Sequence, residues 1–542
     1  MLRLCRLAGL MVLFLTAGIA SGEETGTSPD PVPSQNDSLH FSIVRFQIDG
    51  NTLINSERLQ QAVQPFVGQG RDFESIQNAV SALYDTYANA GYQTVKVVIP
   101  EQAIQDGIIK LQIIESTLQQ LHVQGNKFFS EANIVRSLVS ARIGAVPDAK
   151  AISENLRLAN ENFAKQTQIT FRPSEQEGQA EGVVRVADRN PKRTFALLDN
   201  TGTATTGRYR LGLVFQHANL ADWDDQFTFL YQTSPTQPSQ VSILNAQYRI
   251  PLYEHNALVE IGAGYSNVDS GTINTAAGNY TVSGSGSNYT WHFIKLLPRL
   301  AELDQRINFG FDTRRFHNNV KLVGLSNSLV PGIELHPLSL AYQASGQEET
   351  LGWNAAVTLV RNLPLGNGSG GTAAFNMLGQ RYGANPNYTI LRYSTAFNKM
   401  TESEWLYRLQ MNAQLTKDAL VAGEQFGAGG GESVRGFDER ELSNDMGYRI
   451  SLETQTPPLY DADEGFIGRV KGVAFVDAAG LSRNKPLPGE TVVSHISSAG
   501  VGLRSGFSKQ GTAKLDLADV IEGGGVRQRG KLRLHMGIIY LF

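Results

Sequence analysis

Apolar and polar residues alternate strictly along much of the chain between about residue 191 and Phe542. Each alternating segment is about ten residues long, and Gly, Asn, Asp or Pro separate the segments. In the last segment the apolar positions are Leu534, Met536, Ile538, Tyr540 and Phe542. A period of two places successive side chains on opposite faces of a strand. Repeated segments of this kind, with aromatic residues near their ends, are typical of a transmembrane β-barrel.

About sixteen such segments can be counted, and bacterial single-chain barrels have an even number of strands. The sequence therefore predicts an all-β, 16-stranded antiparallel transmembrane β-barrel over residues 191–542. A large soluble β-sandwich or propeller is the alternative, but it leaves the terminal aromatic residues unexplained.

Residues 41–190 carry a different pattern that occurs twice. A short alternating strand ends at Gly50-Asn51 in the first copy and at Gly125-Asn126 in the second. Two helical patterns and two further strands follow in each copy. Helix N-caps are predicted at Ser56, Asp72, Ser130 and Asp148. We therefore predict two α+β modules of order β-α-α-β-β, at 41–115 and 116–190.

The N-terminal segment has the composition of a secretory signal. Arg3 and Arg6 precede an apolar run from Leu7 to Ala20 and small residues around Ser21, so residues 1–22 are predicted to be a signal peptide. Residues 23–40 are polar and Pro-rich and are predicted to be a linker without a helix that could plug a pore. The net charge of −4 gives no basic excess, so we expect no nucleic-acid partner.

One glycine-rich stretch, Gly423 to Leu442, lies between the predicted eleventh and twelfth barrel strands. Its glycine run allows backbone conformations that other residues avoid, and Val434-Arg435-Gly436-Phe437 follows. By itself the stretch also fits an ordinary hairpin loop with a solvated arginine. On the predicted thirteenth strand, the alternation places Phe475 and Asp477 on the inner face, because a carboxylate facing lipid is costly.

Two small modules followed by a barrel that ends in aromatic-x-Phe resemble the Omp85 superfamily. Within it the chain resembles a TpsB-type transporter, the outer-membrane partner in two-partner secretion (the ShlB/FhaC/HecB type). The modules are similar to POTRA domains, with Ala90-Gly91-Tyr92 and Ile99-Pro100-Glu101-Gln102 as matching motifs. Asp199-Asn200-Thr201-Gly202 is similar to the first barrel hairpin of that family.

The resemblance implies that an extracellular loop folds inward and that its arginine meets the aspartate of the inner wall. The implied loop-to-barrel lock consists of Val434, Arg435, Gly436, Phe437, Phe475 and Asp477. It also implies that Tyr540 and Phe542 form a signal read by barrel-assembly machinery.

The function that the resemblance implies is export. The POTRA modules would capture an unfolded secreted partner protein in the periplasm, and the barrel would carry it across the outer membrane of a Gram-negative bacterium. The residues expected to bind this cargo are Phe73, Ile76, Val80 and Leu83. Outer-membrane lipid, periplasmic chaperones and barrel-assembly machinery are the other expected partners, and a monomer is expected. An Omp85-type factor that assembles outer-membrane proteins is the alternative, and a passive porin would not need the modules.

Enzymatic motifs are incomplete. Gly525 to Lys531 approaches a phosphate-binding loop, but Leu532 stands where that motif needs Ser or Thr. No Gly-x-Ser-x-Gly is present, and the histidines lack the spacing of a zinc protease. We expect no enzymatic activity, no cofactor and no metal site.

Overall fold

A computed structural model describes residues 40–542, except 105, 276–277, 323–331, 367, 376–380, 463–464 and 525. The predicted signal peptide, the linker up to residue 39 and Gly525 of the incomplete phosphate-loop motif lie outside the described residues. Within the described part of the chain, no helix is both long and apolar enough to cross a membrane.

The first module combines a mixed sheet with two helices. Its elements are β1 (Phe41–Ile43), β2 (Arg45–Asp49), α1 (Ser56–Val63), β3 (Gly68–Arg71), α2 (Phe73–Ala90), β4 (Lys96–Val98) and β5 (Ile108–Ile114). The order β2-β5-β4 has β2 parallel to β5, and β1 pairs with β3 in a separate small sheet. Alternation did not predict that small sheet, because β3 contains two glycines.

Helix ends in this module follow from side-chain caps. Asp72 accepts the N–H of Ser75 at 2.9 Å, and α2 ends at Gly91 with φ +112°, both as predicted. The predicted cap at Ser56 was wrong by one residue. Asn55 caps α1 instead, because its side-chain oxygen accepts the N–H of Arg58 at 3.1 Å.

The second module repeats this plan. Its elements are β6 (Thr117–Gln124), α3 (Glu131–Arg136), α4 (Ala149–Ala159), β7 (Lys165–Pro173) and β8 (Gln179–Asp188). The sheet order is β6-β8-β7, with β6 parallel to β8, so β7 is an edge strand. Ser130 and Asp148 cap the two helices as predicted, each accepting backbone N–H groups of the first turn.

The Gly-Asn turns have the same physical basis in both modules. Gly50 has φ +89° and Gly125 has φ +87°, and a Cβ at either would lie 2.3 or 2.4 Å from a carbonyl oxygen of the neighbouring strand. Only glycine fits without displacing that backbone. The internal repeat seen in the sequence is therefore a repeat of one turn geometry.

Each turn is also held by a carboxylate at the end of its sheet. Glu115 accepts the N–H groups of Thr52 and Leu53 at 2.8 and 3.0 Å, and Asp188 accepts those of residues 127–129. Burial raises the pKa of Glu115, but hydrogen bonds from Thr52 and Leu53 outweigh burial and hold that pKa below its usual value.

The C-terminal part is a closed barrel with long loops. Its elements are β9 (Lys192–Asp199), β10 (Arg210–His217), β11 (Gln226–Thr233), β12 (Val241–Leu252), β13 (Ala257–Thr275), β14 (Gly278–Leu296), β15 (Leu303–Leu322), β16 (Ile333–Leu335), β17 (Pro337–Gln347), β18 (Leu351–Asn362), α5 (Thr372–Phe375), β19 (Thr389–Met400), β20 (Leu406–Leu415), β21 (Phe426–Ala428), β22 (Leu442–Asn444), β23 (Met446–Tyr460), β24 (Ile467–Ser482), β25 (Val493–Phe507), β26 (Gly511–Glu522) and β27 (Leu532–Leu541).

Sixteen antiparallel strands close this barrel, which confirms the predicted fold class. Strands β16 and β17 both pair with β15 and are two parts of one barrel strand interrupted at His336. The barrel closes where β27 pairs with β9. Strands β21 and β22 lie outside the wall, in the loop between the eleventh and twelfth barrel strands, β20 and β23.

The two faces of the wall differ as the alternation predicts. On β24, Val473, Phe475 and Asp477 are buried inside, whereas Ala474 and Val476 are exposed outside. Elsewhere the outer face carries exposed apolar side chains such as Leu213, Trp291, Phe309, Leu452 and Val501. In lipid, apolar side chains are favoured on the exterior, and a closed sheet provides hydrogen-bond partners for the backbone N–H and C=O groups.

The second module is docked on one rim of the barrel. Lys165 of β7 donates to Asp224 at 2.6 Å, and both side chains are fully buried. Tyr253 donates to the same carboxylate at 2.5 Å, and Asn133 accepts from the Lys165 ammonium at 3.0 Å. Burial lowers the pKa of Lys165, an effect that the Asp224 carboxylate opposes. This pair joins the module to the turn between β10 and β11.

A second set of contacts extends the docking along the rim. Arg157 donates to Asp304 at 3.2 Å, and Glu161 accepts from Arg249 and Arg306 at 2.6 and 3.2 Å. The module therefore contacts turns that follow even-numbered barrel strands. Because strand direction alternates, the loop after the eleventh strand begins at the opposite rim.

Candidate functional site

A long loop, residues 416–445, folds from that opposite rim into the barrel. Its only strands in the described residues are β21 and β22, which pair with each other. Gly429 and Gly430 both have φ +110°, and Gly436 has φ +96°. These conformations favour glycine. The glycine run thus lets the loop turn sharply and bring residues 434–437 against the inner wall.

Arg435 makes a two-pronged contact with Asp477 on β24, which we call the lock contact. Nε donates to Oδ2 at 2.7 Å and Nη2 to Oδ1 at 2.9 Å, and the Arg435 backbone N–H also donates to Oδ2, at 3.0 Å. Nη1 donates to Glu453 at 2.7 Å, and the guanidinium lies 3.4 Å from the centre of the Phe475 ring. Ser451 donates to Asp477 Oδ1 at 2.6 Å. A planar fork on a carboxylate is the geometry that arginine provides and lysine does not.

Further charged groups of the wall extend this contact into a network. Arg504 donates to Asp516 at 2.6 Å and to Glu453 at 3.2 Å, and Arg408 lies 3.8 Å from Glu453. With the lock contact, the network has three arginines and three carboxylates and is neutral. Glu453, Asp516 and Arg504 were not predicted from the sequence. The alternation of apolar and polar residues along each strand indicates that these three residues face the barrel interior. It does not indicate which strands lie close enough for their side chains to meet.

Apolar packing holds residues 434–437, which we call the tip of the loop, around the lock contact. Val434 and Phe437 are fully buried in a shared cluster. The other members of the cluster come from the loop and the wall and include Ala428, Ala479, Leu481, Ile496 and Val520. Between them, the Gly436 N–H donates to His535 Nε2 at 2.9 Å. The structure therefore brings together all six residues of the predicted lock.

The C-terminus lies at the rim that carries the modules. Tyr540 and Phe542 pack edge to face with ring centres 5.0 Å apart, and Tyr540 stacks on Phe507. The Phe542 N–H donates to the carbonyl of Thr194 near the start of the first barrel strand, at 2.9 Å. The last residue thus takes part in closing the barrel. Its role as an assembly signal stays a prediction.

The predicted cargo residues on α2 need correction. Ile76 and Leu83 are 4% and 0% exposed in the core of the first module, and Val80 packs against that core. A face of helical period marks the side that packs on the sheet, so in this structure Ile76 and Leu83 are not available to a cargo. Phe73 differs, because it is 57% exposed.

A groove of about 660 Å³ lies between the two modules and offers a different surface. The edge strand β7 forms one wall and α4 another. The apolar and basic side chains that line it include Tyr84, Val95, Lys96, Ile152, Leu156 and Phe171. An edge strand presents backbone groups to which an extended chain can pair.

Among the described residues, no group of three His, Cys, Asp or Glu side chains is placed to hold a metal ion.

A closed barrel with an apolar exterior, a loop bound across its interior and two small modules at one rim defines a class of protein. That class is the outer-membrane β-barrel transporter with POTRA domains.

Comparison with known families agrees with this class. The model of the family described as haemolysin secretion/activation protein ShlB/FhaC/HecB matches residues 182–505, and the ShlB-type POTRA domain matches residues 41–116. The chain therefore belongs to the ShlB/FhaC/HecB family. It is an outer-membrane transporter of two-partner secretion in a Gram-negative bacterium, with its POTRA modules in the periplasm and loop 416–445 beginning at the extracellular rim.

Individual relatives are distant in sequence but similar over most of their length. The outer membrane transporter CdiB of Escherichia coli is 22% identical over 471 residues, which cover 86% of this chain and 77% of the relative. The heme/hemopexin transporter protein HuxB of Haemophilus influenzae is 20% identical over 456 residues, covering 79% and 74%.

Solved structures show the same fold. CdiB from Escherichia coli superimposes with a TM-score of 0.78 at 19% identity, covering 95% of this chain and 93% of that one. CdiB from Acinetobacter baumannii gives 0.69 at 14% identity, covering 93% and 90%. BamA from Haemophilus ducreyi lacking POTRA domains 1–3 gives 0.50 at 15% identity, covering 93% and 100%.

Proposed function

We propose that the lock contact holds the long loop inside the pore and that its geometry is required for export. The observation that carries this proposal is the forked contact of Arg435 with Asp477, both nearly or fully buried within the barrel. Burying these charges is costly unless they are paired with good geometry, and here each is paired several times. A contact of this kind holds a glycine-hinged loop at one depth in the lumen.

We further propose that the cargo is an unfolded secreted protein and that it first binds the groove between the modules. An extended segment would add to the edge strand β7, and its apolar side chains would lie against Ile152 and Leu156 of α4. Phe73 does not line this groove, but its exposed ring remains a proposed contact for the cargo outside the groove. Folding of the cargo outside the cell would drive its passage.

We propose that the transporter acts as a monomer, that periplasmic chaperones deliver it, and that barrel-assembly machinery inserts it through Tyr540 and Phe542. We also propose that the chain transports its partner and catalyses no reaction.

Substitution of Arg435 and Asp477, the two residues of the lock contact, tests the proposed function. Arg435→Ala and Asp477→Ala should each abolish export of the cognate partner while the barrel still inserts. The double variant should be little worse than either single variant, because residues that act through one contact are not additive. Arg435→Lys should also fail, since lysine lacks the fork. Arg361→Ala, an exposed arginine on β18, is the matched control.

Export would be measured as cargo in the culture medium, and insertion by heat-modifiable gel mobility. If Asp477→Ala exports at the normal level while Arg435→Ala does not, Arg435 acts directly on the cargo and the lock is not required.

A further inference from the structure

A second buried carboxylate, Glu424, lies near the start of the same loop. Its side chain is 0% exposed. Oε1 accepts from Arg314 of β15 at 2.6 Å, and Oε2 accepts from Arg392 of β19 at 2.9 Å. Glu424 was not among the residues predicted from the sequence, and it does not belong to the network around Arg435.

The charges around Glu424 are balanced. Arg314 also donates to Asp312 at 2.6 Å, so two arginines face two carboxylates. Loss of the Glu424 charge would leave one cation in excess next to this buried side chain, where the Arg314 and Arg392 side chains are 27% and 36% exposed. Removing the buried carboxylate is destabilising because both guanidinium groups lose a charge-assisted partner, and their partial access to water moderates the cost.

The two contacts of the loop involve different parts of the wall. Glu424 binds the seventh and tenth barrel strands, whereas Arg435 binds the twelfth and thirteenth. We call residues 420–424 the stem of the loop, and this stem has hydrogen bonds of its own. Gln414 donates to the carbonyls of both Glu424 and Asp445, at 2.9 and 3.0 Å, and Asp445 accepts the N–H of Leu420 at 2.8 Å.

Apolar packing also separates the stem from the tip. Leu420 and Val421 belong to a buried cluster with residues of the β16 segment and of the loop before β19. Val434 and Phe437 belong to a different cluster, described above. Stem and tip are therefore each packed and each ion-paired, on different walls.

We infer that Glu424, bound by Arg314 and Arg392, is a second positioning residue that anchors the stem of the loop independently of the lock contact. The loop thus spans the pore between two anchors. This inference rests on the proposed function, in which the lock contact holds the loop inside the pore, and it adds that the two anchors are independent.

Cysteine labelling tests the inference without any cargo. Val421→Cys reports on the stem and Val434→Cys on the tip, because both side chains are at most 2% exposed. The chain has a single native cysteine, Cys5, within the predicted signal peptide. The protein purified from the outer membrane without its predicted signal peptide would be treated in proteoliposomes with a membrane-impermeant maleimide, and labelling rates would be compared.

Glu424→Gln should raise the labelling rate of Val421→Cys by at least about tenfold and leave that of Val434→Cys within about twofold. Arg435→Ala should give the reverse pattern. Glu432→Gln is the matched control, because Glu432 lies in the same loop with a side chain 80% exposed, and it should change neither rate.

An unchanged Val421→Cys rate in Glu424→Gln would overturn the inference, and so would an equal rise at both reporters. If Glu424→Gln fails the heat-modifiability test for folding, Arg392→Gln removes one of the two cations and decides the same question. Failure of the lock variants to affect export would count against the proposed function but would not alter the labelling result.

Discussion

The docking of the second module on the barrel can be tested at the Lys165–Asp224 pair. The substitution Asp224→Asn removes the carboxylate charge and keeps an oxygen that can accept from Lys165 and Tyr253. Asparagine is also suited to the backbone, because residue 224 has φ +61°. The variant therefore measures the effect of the charge alone, because the hydrogen-bond acceptor and the backbone conformation are retained.

The expected cost follows from the burial of the pair. Both side chains are at most 2% exposed and their charged atoms are 2.6 Å apart. Breaking a buried ion pair by removing one partner costs about 3–5 kcal/mol, and the retained hydrogen bonds favour the lower end. A loss of about 3 kcal/mol corresponds to about a hundredfold change in the docking equilibrium.

Hydrogen exchange of the full-length protein in detergent measures this change. Amides of β7 should lose about a hundredfold of their protection in Asp224→Asn, whereas barrel amides distant from the rim should not change. Arg172→Gln is the control, because Arg172 lies on the same strand in an exposed pair with Glu181, and such pairs are worth about 0–1 kcal/mol.

A second variant identifies the cause. Lys165→Met combined with Asp224→Asn removes the uncompensated charge and should restore much of the protection, because apolar replacements of buried ion pairs are often tolerated. Full protection in Asp224→Asn would refute the role of the pair. Less protection in the double variant than in Asp224→Asn would show that the buried charge is not the source of the loss.

Three further predictions concern the modules and the C-terminus. The pKa of Glu115 is lowered in the folded state, so its stabilising contribution is present above its unfolded value of about 4.3 and is lost as the pH falls through the lower folded value. Glu115→Gln should therefore reduce the loss of first-module stability at acidic pH, measured by hydrogen exchange as a function of pH. An unchanged loss at acidic pH would contradict this. Gly125→Ala should destabilise the second module by more than about 1 kcal/mol in the same measurement, whereas Gly144→Ala, with the same sign of φ but no atom within 4 Å of its Cβ, should cost less. Deletion of Phe542 should reduce the heat-modifiable, outer-membrane fraction of the protein, because the Phe542 N–H helps close the barrel; normal amounts would remove that role.

Local sequence patterns determined much of this protein. Period-two alternation predicted the number of barrel strands and the inward orientation of Asp477, because side-chain direction along a strand depends only on position. Capping chemistry predicted the start of α2 at Asp72 and its end at Gly91, since those signals act within one turn. Together with the resemblance to a transporter family, these patterns were enough to predict the Arg435–Asp477 contact.

Tertiary structure alone decided which distant residues meet. Closure and strand register bring Arg504 and Asp516 to the lock contact and bring Arg314 and Arg392 to Glu424, and no local pattern encodes those pairings. The apolar face of α2 was visible in the sequence, but whether it binds a cargo or its own sheet depended on packing, and the sheet covers Ile76 and Leu83. Periodicity reports which face of an element is apolar or polar, whereas the partner of that face depends on how the whole chain folds.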